Sequence, residues 1–123
     1  ARTGISIEGG GHLVERCTAG ANVEHGIFVS ADSTIISNTC YENGKTGIVT
    51  GSNSTATGNT CSGNHVDGIE AAFSTVIGNT CNDNIAYGLH LVGCNLVDQN
   101  TAYGNGTNMQ GDICCAFGTN CAP

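Results

Sequence analysis

Three residue columns repeat about every 21 positions with no helical periodicity between them. They predict an all-β chain, a right-handed parallel β-helix (β-solenoid) of about six coils with little or no α-helix. The first column is a Gly followed by an aliphatic residue: Gly4-Ile5, Gly26-Ile27, Gly47-Ile48, Gly68-Ile69 and Gly88-Leu89, with a degenerate copy at Gly111-Asp112-Ile113. Its steps are 22, 21, 21, 20 and 23 residues. The second runs through Asn38-Thr39-Cys40, Asn59-Thr60-Cys61, Asn79-Thr80-Cys81 and Asn100-Thr101-Ala102, and Cys17 extends it upstream. The third holds Asn43, Asn64, Asn84 and Asn105.

Each element follows from this phase. Gly and Asn interrupt the chain every eight residues or so, and no stretch places apolar residues at helical spacing, which excludes a helical solenoid. Short alternation remains. After each Gly the first and third residues are usually apolar, while the middle one varies through Ser6, Phe28, Val49, Glu70 and His90. Side chains of a strand alternate between faces, so the variable column points outward and its neighbours inward. Adjacent coils sit ~4.8 Å apart, and equivalent residues stack. Ile5, Ile27, Ile48, Ile69, Leu89 and Ile113 then form an aliphatic ladder inside. Stacked Asn side chains pass amide hydrogen bonds between coils. Asn and the recurring Gly both suit the left-handed conformations that tight corners need. The whole of 1–123 reads as one domain, with coils starting near 4, 26, 47, 68, 88 and 111 and residues 106–123 as a C-terminal cap.

Composition narrows the partners. The chain carries 3 Lys+Arg against 10 Asp+Glu, a formal charge of −7. Arg2, Arg16 and Lys45 cannot form the basic patch that nucleic acid or an anionic membrane requires. No apolar run approaches the ~18 residues of a membrane span.

Eight Cys in 123 residues is a high share for a cytosolic protein. No C-x-x-C pair occurs, so the spacing suits disulfides better than zinc. Cys17, Cys40, Cys61 and Cys81 share one phase. Their Cα atoms at ~4.8 Å fall within the range a disulfide accepts, predicting Cys17–Cys40 and Cys61–Cys81. Cys94, Cys114, Cys115 and Cys121 crowd the final coil, where Cys94 is expected to bond one of the tail cysteines. The alternative is a reduced, buried sulfur ladder. Disulfides place the chain in an oxidising compartment, extracellular or at the cell surface.

The pattern Gly-Ile-x-Val, a variable stretch, then Ile-Ile-Ser-Asn-Thr-Cys-x-x-Asn-Gly resembles the parallel β-helix repeat of pectate-lyase-like proteins. The run Asn95 to Asn108 resembles the last coil of many secreted bacterial members of unassigned function. The resemblance covers nearly the whole chain and is specific for fold, because the repeat encodes the rod rather than a site. It implies a choice among pectate lyases, alginate epimerases, other polysaccharide-processing enzymes, phage spike domains and binding modules. Members usually carry an N-terminal cap and more coils, whereas this chain enters a strand at Thr3-Gly4-Ile5. That departure implies a fragment or one end of a longer solenoid.

Chemistry on an acidic polysaccharide needs a base for the C5 proton and a cation for the carboxylate. The best constellation lies on the outward face of the Gly-Ile strands. Glu70 and His90 share the variable column on adjacent coils. His25, Lys45, Asp67 and Tyr87 are assigned to the column just before each Gly. The strip so formed carries an acid, a base, a cation and a phenol. The Asp-Pro-His motif of alginate epimerases is absent, since the only Pro is Pro123. The competing reading is an outward column that is polar because it is wet.

Metal and cofactor are not called for. Asp32, Asp67, Asp83, Asp98 and Asp112 fall at different phases of the repeat, so they do not stack into a Ca²⁺ site or a hydrolase carboxylate pair. A separate candidate is a binding face: Thr39, Thr60, Thr80 and Thr101 stack in one column, with Arg16 completing it upstream. Thr ladders of this kind match glycan chains or ice, although Thr is also simply at home on an exposed strand. Asn53-Ser54-Thr55 and Asn105-Gly106-Thr107 fit the glycosylation sequon. The expectation is a secreted module that binds polysaccharide or serves as a structural rod. Alternatives are a fragment of a polysaccharide lyase or uronate C5-epimerase, and a solenoid that self-associates end to end into fibres.

Overall fold

The structure, a computed structural model, describes residues 1–115, with 112–115 described by backbone alone. The first coil carries β1 (Ile5–Ile7), β2 (Leu13–Glu15) and β3 (Thr18–Gly20); the second β4 (Ile27–Val29), β5 (Thr34–Ile36) and β6 (Thr39–Tyr41). The third has β7 (Ile48–Thr50), β8 (Thr55–Thr57) and β9 (Thr60–Ser62); the fourth β10 (Ile69–Ala72), β11 (Thr75–Ile77) and β12 (Thr80–Asn82). In the fifth, β13 (Tyr87–Asp98) runs through two strand positions before β14 (Thr101–Tyr103), and β15 (Thr107–Cys115) opens the next turn. All pairing is between coils and parallel. One face runs β1-β4-β7-β10-β13, a second β2-β5-β8-β11-β13, and the third β3-β6-β9-β12-β14. The chain is therefore an all-strand parallel β-helix of about five turns, with no helix among the described residues. None of those residues forms a helix long and apolar enough to cross a membrane.

The interior is a set of ladders. Ile5, Ile27, Ile48, Ile69 and Leu89 stack in register, and Ile27, Ile48, Ile69 and Leu89 are fully buried. Each such side chain contributes roughly 1.5–3 kcal/mol by leaving water. Val14, Ile35, Ala56, Val76 and Val97 fill the second face, and Ala19, Cys40, Cys61, Cys81 and Ala102 the third.

Polar ladders close the corners. Asn22, Asn43, Asn64, Asn84 and Asn105 pass amide hydrogen bonds from coil to coil at 2.8–2.9 Å. Asn38, Asn59, Asn79 and Asn100 do the same at 3.0 Å. In both, the Oδ1 that accepts the side-chain N–H also accepts the backbone N–H of the Asn below it, as Asn59 Oδ1 does from Asn38. A third ladder, not evident in the sequence, joins Ser33, Ser54, Ser74 and Asn95, each accepting from the backbone N–H one coil before.

The corners bend one residue ahead of the ladders. Arg16, Ser37, Gly58, Gly78 and Gln99 hold left-handed φ, as do Ala21, Glu42, Gly63, Asp83 and Gly104. The ladder Asn residues and the Gly26-Gly47-Gly68-Gly88 column do not, which corrects the expectation for both. The Gly column answers a different demand. A Cβ on Gly47 would lie 2.7 Å from the carbonyl oxygen of Gly68 and 2.8 Å from Asn64 Nδ2. Close approach, not a positive φ, requires glycine there.

Three register assignments and one bonding assignment change. Thr18 and Ala19 pair with Thr39 and Cys40, so Arg16 and Cys17 are not members of those columns; Cys17 donates its backbone N–H to Asn38 Oδ1, the place of an Asn. Met109 pairs with Leu89 and packs against the core, while Ile113 pairs with Asn95, so Met109 continues the aliphatic ladder. Lys45 falls one position out of its assigned column, which Thr46 occupies. Finally, Cys17, Cys40, Cys61 and Cys81 are free thiols. In-register parallel strands aim their Cβ atoms the same way, so neighbouring Cβ atoms stay ~4.8 Å apart, beyond the ~3.5–4.5 Å of a disulfide. The buried sulfur ladder is what forms, and burial pushes the Cys61 thiol up, with Cys40 and Cys81 hydrogen bonding adding to it. Cys94 is disulfide-bonded. Cys114 and Cys115 are described by backbone alone, and Cys121 lies outside the described residues.

Candidate functional site

The register that stacks Ile69 on Leu89 sets Glu70 directly beside His90 on the outer surface of β10 and β13. Two residues before β10, the chain turns at Asp67, whose carbonyl accepts from Gly47 N–H at 2.9 Å. This turn tucks the Asp67 side chain into the wall, where it is 2% exposed. A carboxylate so desolvated needs partners, and it has two. Oδ1 accepts the backbone N–H of Tyr87 at 3.1 Å, and Oδ2 lies 3.0 Å from His90 Nδ1. The Tyr87 ring packs against the His90 ring, centroids 5.0 Å apart and tilted by 49°. Asp67, Glu70 and His90 each bring a donor atom within 4.8 Å of the others.

Four of the six strip residues therefore meet: Asp67, Glu70, Tyr87 and His90. His25 and Lys45 do not. His25 shares the Asp67 column but lies two coils below, about 10 Å along the axis. It packs against Phe28 at 6.3 Å, and its buried Nδ1 has no hydrogen bond among the described residues. Lys45 turns to Glu24 at 3.4 Å, where Arg2 also binds at 2.8 Å. The Arg2 hydrogen bond, with Lys45 adding a smaller part, holds the Glu24 carboxyl below the usual carboxylate range. Arg16 contacts Glu15 at 3.5 Å. Each Lys and Arg side chain thus faces an acid elsewhere, leaving two carboxyl groups and one imidazole at the site.

The strip differs from a wet outward column in one respect: Asp67 is buried and aimed at an imidazole. A buried carboxylate accepting Nδ1–H fixes the tautomer and leaves Nε2 as the basic nitrogen. The acid and the imidazole were both visible in the sequence, but their contact spans 23 residues and depends on the turn before β10. The Thr column is present as expected, with Thr18 rather than Arg16 at its foot; Thr39, Thr60 and Thr101 are exposed and Thr80 partly so.

The chain matches the right-handed β-helix region over residues 1–121 and belongs to that family. Its structure is similar to solved structures of the periplasmic alginate epimerase AlgG. One variant superimposes with a TM-score of 0.81 at 24% identity, covering 90% of this chain and 30% of that one. A second variant gives 0.74 at 15% identity, over 98% and 38%. A further AlgG structure gives 0.73 at 16%, over 95% and 37%. At these identities the likeness is one of fold, and the chain spans little more than a third of those proteins at most. No curated protein matches significantly in sequence.

Proposed function

We propose that this chain is a segment of an extracytoplasmic β-helix protein that engages an acidic polysaccharide on the β10–β13 face and removes a proton from it with His90. The observation that carries the reading is the 3.0 Å contact between buried Asp67 and His90 Nδ1. A proton α to a uronate carboxylate is removed by a positioned general base, and an imidazole oriented by a carboxylate is a common one. Glu70 lies beside it in register and serves, in this reading, as the second proton-transfer group. Outcomes of that chemistry are epimerisation at C5 or elimination. The likeness to the alginate epimerase AlgG supports a uronate polymer as substrate class. Its periplasmic setting and the Cys94 disulfide support an oxidising compartment.

A second reading, binding without turnover, is favoured by Lys45 facing Glu24 instead of the site. On that reading the exposed Thr18-Thr39-Thr60-Thr80-Thr101 column supplies hydroxyls at a spacing of ~4.8 Å along a glycan.

A substrate screen separates the two. The proposal expects turnover of polyuronates and not of neutral polysaccharides, abolished in the His90→Gln, Glu70→Gln double variant. Robust turnover by that variant removes the site from consideration. Glycan-array binding with no turnover of any polyuronate establishes the second reading instead.

A further inference from the structure

The same corner of the fold has a property that proton transfer does not use. Two carboxylates and an imidazole converge, with all three donor atoms within 4.8 Å of one another. Asp67 and Glu70 repel each other at that range, and Arg2, Arg16 and Lys45 are all engaged with Glu24 or Glu15. No Lys or Arg side chain reaches the corner, and the one basic group there is His90 itself.

The spacing of the three donors suits a bound metal ion. Ligands about 2.1 Å from a metal ion stand about 3.0 Å apart at right angles and about 3.4 Å apart in a tetrahedron. Asp67 Oδ2 and His90 Nδ1 are 3.0 Å apart, a separation that suits a shared ion as well as a shared proton. Asp67 is already oriented as a ligand, because the Tyr87 backbone N–H holds its other oxygen at 3.1 Å, the outer-shell support that metal-binding carboxylates receive. Glu70 and His90 sit on adjacent strands in register, and the Glu70 carboxylate lies within 4.8 Å of the other two donors. Both are partly exposed, leaving the remaining coordination positions open to water.

We infer that Asp67, Glu70 and His90 form a binding site for a divalent transition-metal ion of the zinc class, with one nitrogen and two oxygen ligands from protein. An imidazole among the ligands favours Zn²⁺ over the hard ions Ca²⁺ and Mg²⁺, which take oxygen. Two ionised carboxylates neutralise the ion's charge. The inference goes beyond the proposed function and does not rest on it. An imidazole whose lone pair is given to a metal cannot accept a proton, so the ion and the base role of His90 exclude each other. Zinc loading therefore shuts off any proton transfer by this face.

Calorimetric titration of the purified, chelator-washed chain with Zn²⁺ tests the site directly, whatever the activity. The expected result is one Zn²⁺ per chain, with affinity lowered at least about tenfold in each of His90→Gln and Glu70→Gln and little response to Ca²⁺. Both substitutions are at partly exposed positions, and circular dichroism verifies that the variants keep the strand signal. Co²⁺ loading should give a spectrum without a thiolate charge-transfer band, separating this site from the cysteines. Absence of Zn²⁺ binding, unchanged affinity in the two folded variants, or a thiolate band on Co²⁺ loading would each overturn the assignment.

Discussion

Asn59 donates its side-chain N–H to Asn79 Oδ1 at 3.0 Å and receives on its own Oδ1 both the backbone and side-chain N–H groups of Asn38. Its Nδ2 also donates to the carbonyl of Ile35 at 2.9 Å. One buried side chain thus ties three successive coils. Asn59→Ala leaves the two Asn38 donors and the Ile35 carbonyl without these partners. At ~1–3 kcal/mol for each buried unsatisfied group, partly relieved by relaxation, the expected loss is about 3–5 kcal/mol in denaturant unfolding. A loss under 1 kcal/mol would show that the ladder is not a source of stability.

The aliphatic ladder carries the complementary, apolar part of the stability. Ile48 and Ile69 are fully buried with ladder neighbours on both sides. Ile48→Ala and Ile69→Ala should each cost ~2–5 kcal/mol through lost burial and a residual cavity. Unfolding of both variants at the wild-type denaturant midpoint would refute the inward placement of that column.

Opposite signs are expected at two corner positions. Glu42 is exposed with φ 52°, while Gly63 and Gly104 hold the same place on other coils. Glu42→Gly relieves the left-handed penalty against a greater unfolded-state entropy, for a net gain of up to about 1 kcal/mol. Gly47→Ala should instead lose about 1–3 kcal/mol, because its Cβ meets the Gly68 carbonyl. Thermal melts of the two variants should move in opposite directions.

The sulfur ladder makes a labelling prediction. Cys40, Cys61 and Cys81 are fully buried and free, and the Cys61 thiol is held well above its usual pKa by burial. Thiolates react with alkylating agents and buried thiols do not. In the native protein Cys17, which is only partly buried, should label first, and the three ladder cysteines should label only on unfolding. Rapid native labelling of Cys61 would contradict its placement.

The rod was legible because its physics is periodic: Ile27, Ile48 and Ile69 must be aliphatic, and Asn43, Asn64 and Asn84 must each bond the next coil. What was not legible lies where one column accepts another residue. Ala19 fills the space of a Cys, which drew Cys17 out of phase, and the last coil puts Asn108 where Gly was expected, which hid Met109. Lys45 was misplaced because Thr46 breaks the run of titratable residues in the Asp67 column. Asp67 and His90 both stand out in the sequence as titratable residues, yet the burial that gives their contact meaning follows from backbone geometry with no signature of its own.

His90, held by Asp67, is proposed to take a proton from a uronate polymer. Incubating the chain with polyuronate in D₂O under metal chelation, and following deuterium and unsaturation at C5 by NMR, is the deciding experiment. The wild-type chain should incorporate deuterium at C5, or release 4,5-unsaturated ends where elimination follows, with either outcome slowed roughly 10²–10⁴-fold in His90→Gln. Undiminished turnover in His90→Gln, or neither C5 deuterium nor 4,5-unsaturated ends from the wild-type chain with bound polyuronate, would contradict it.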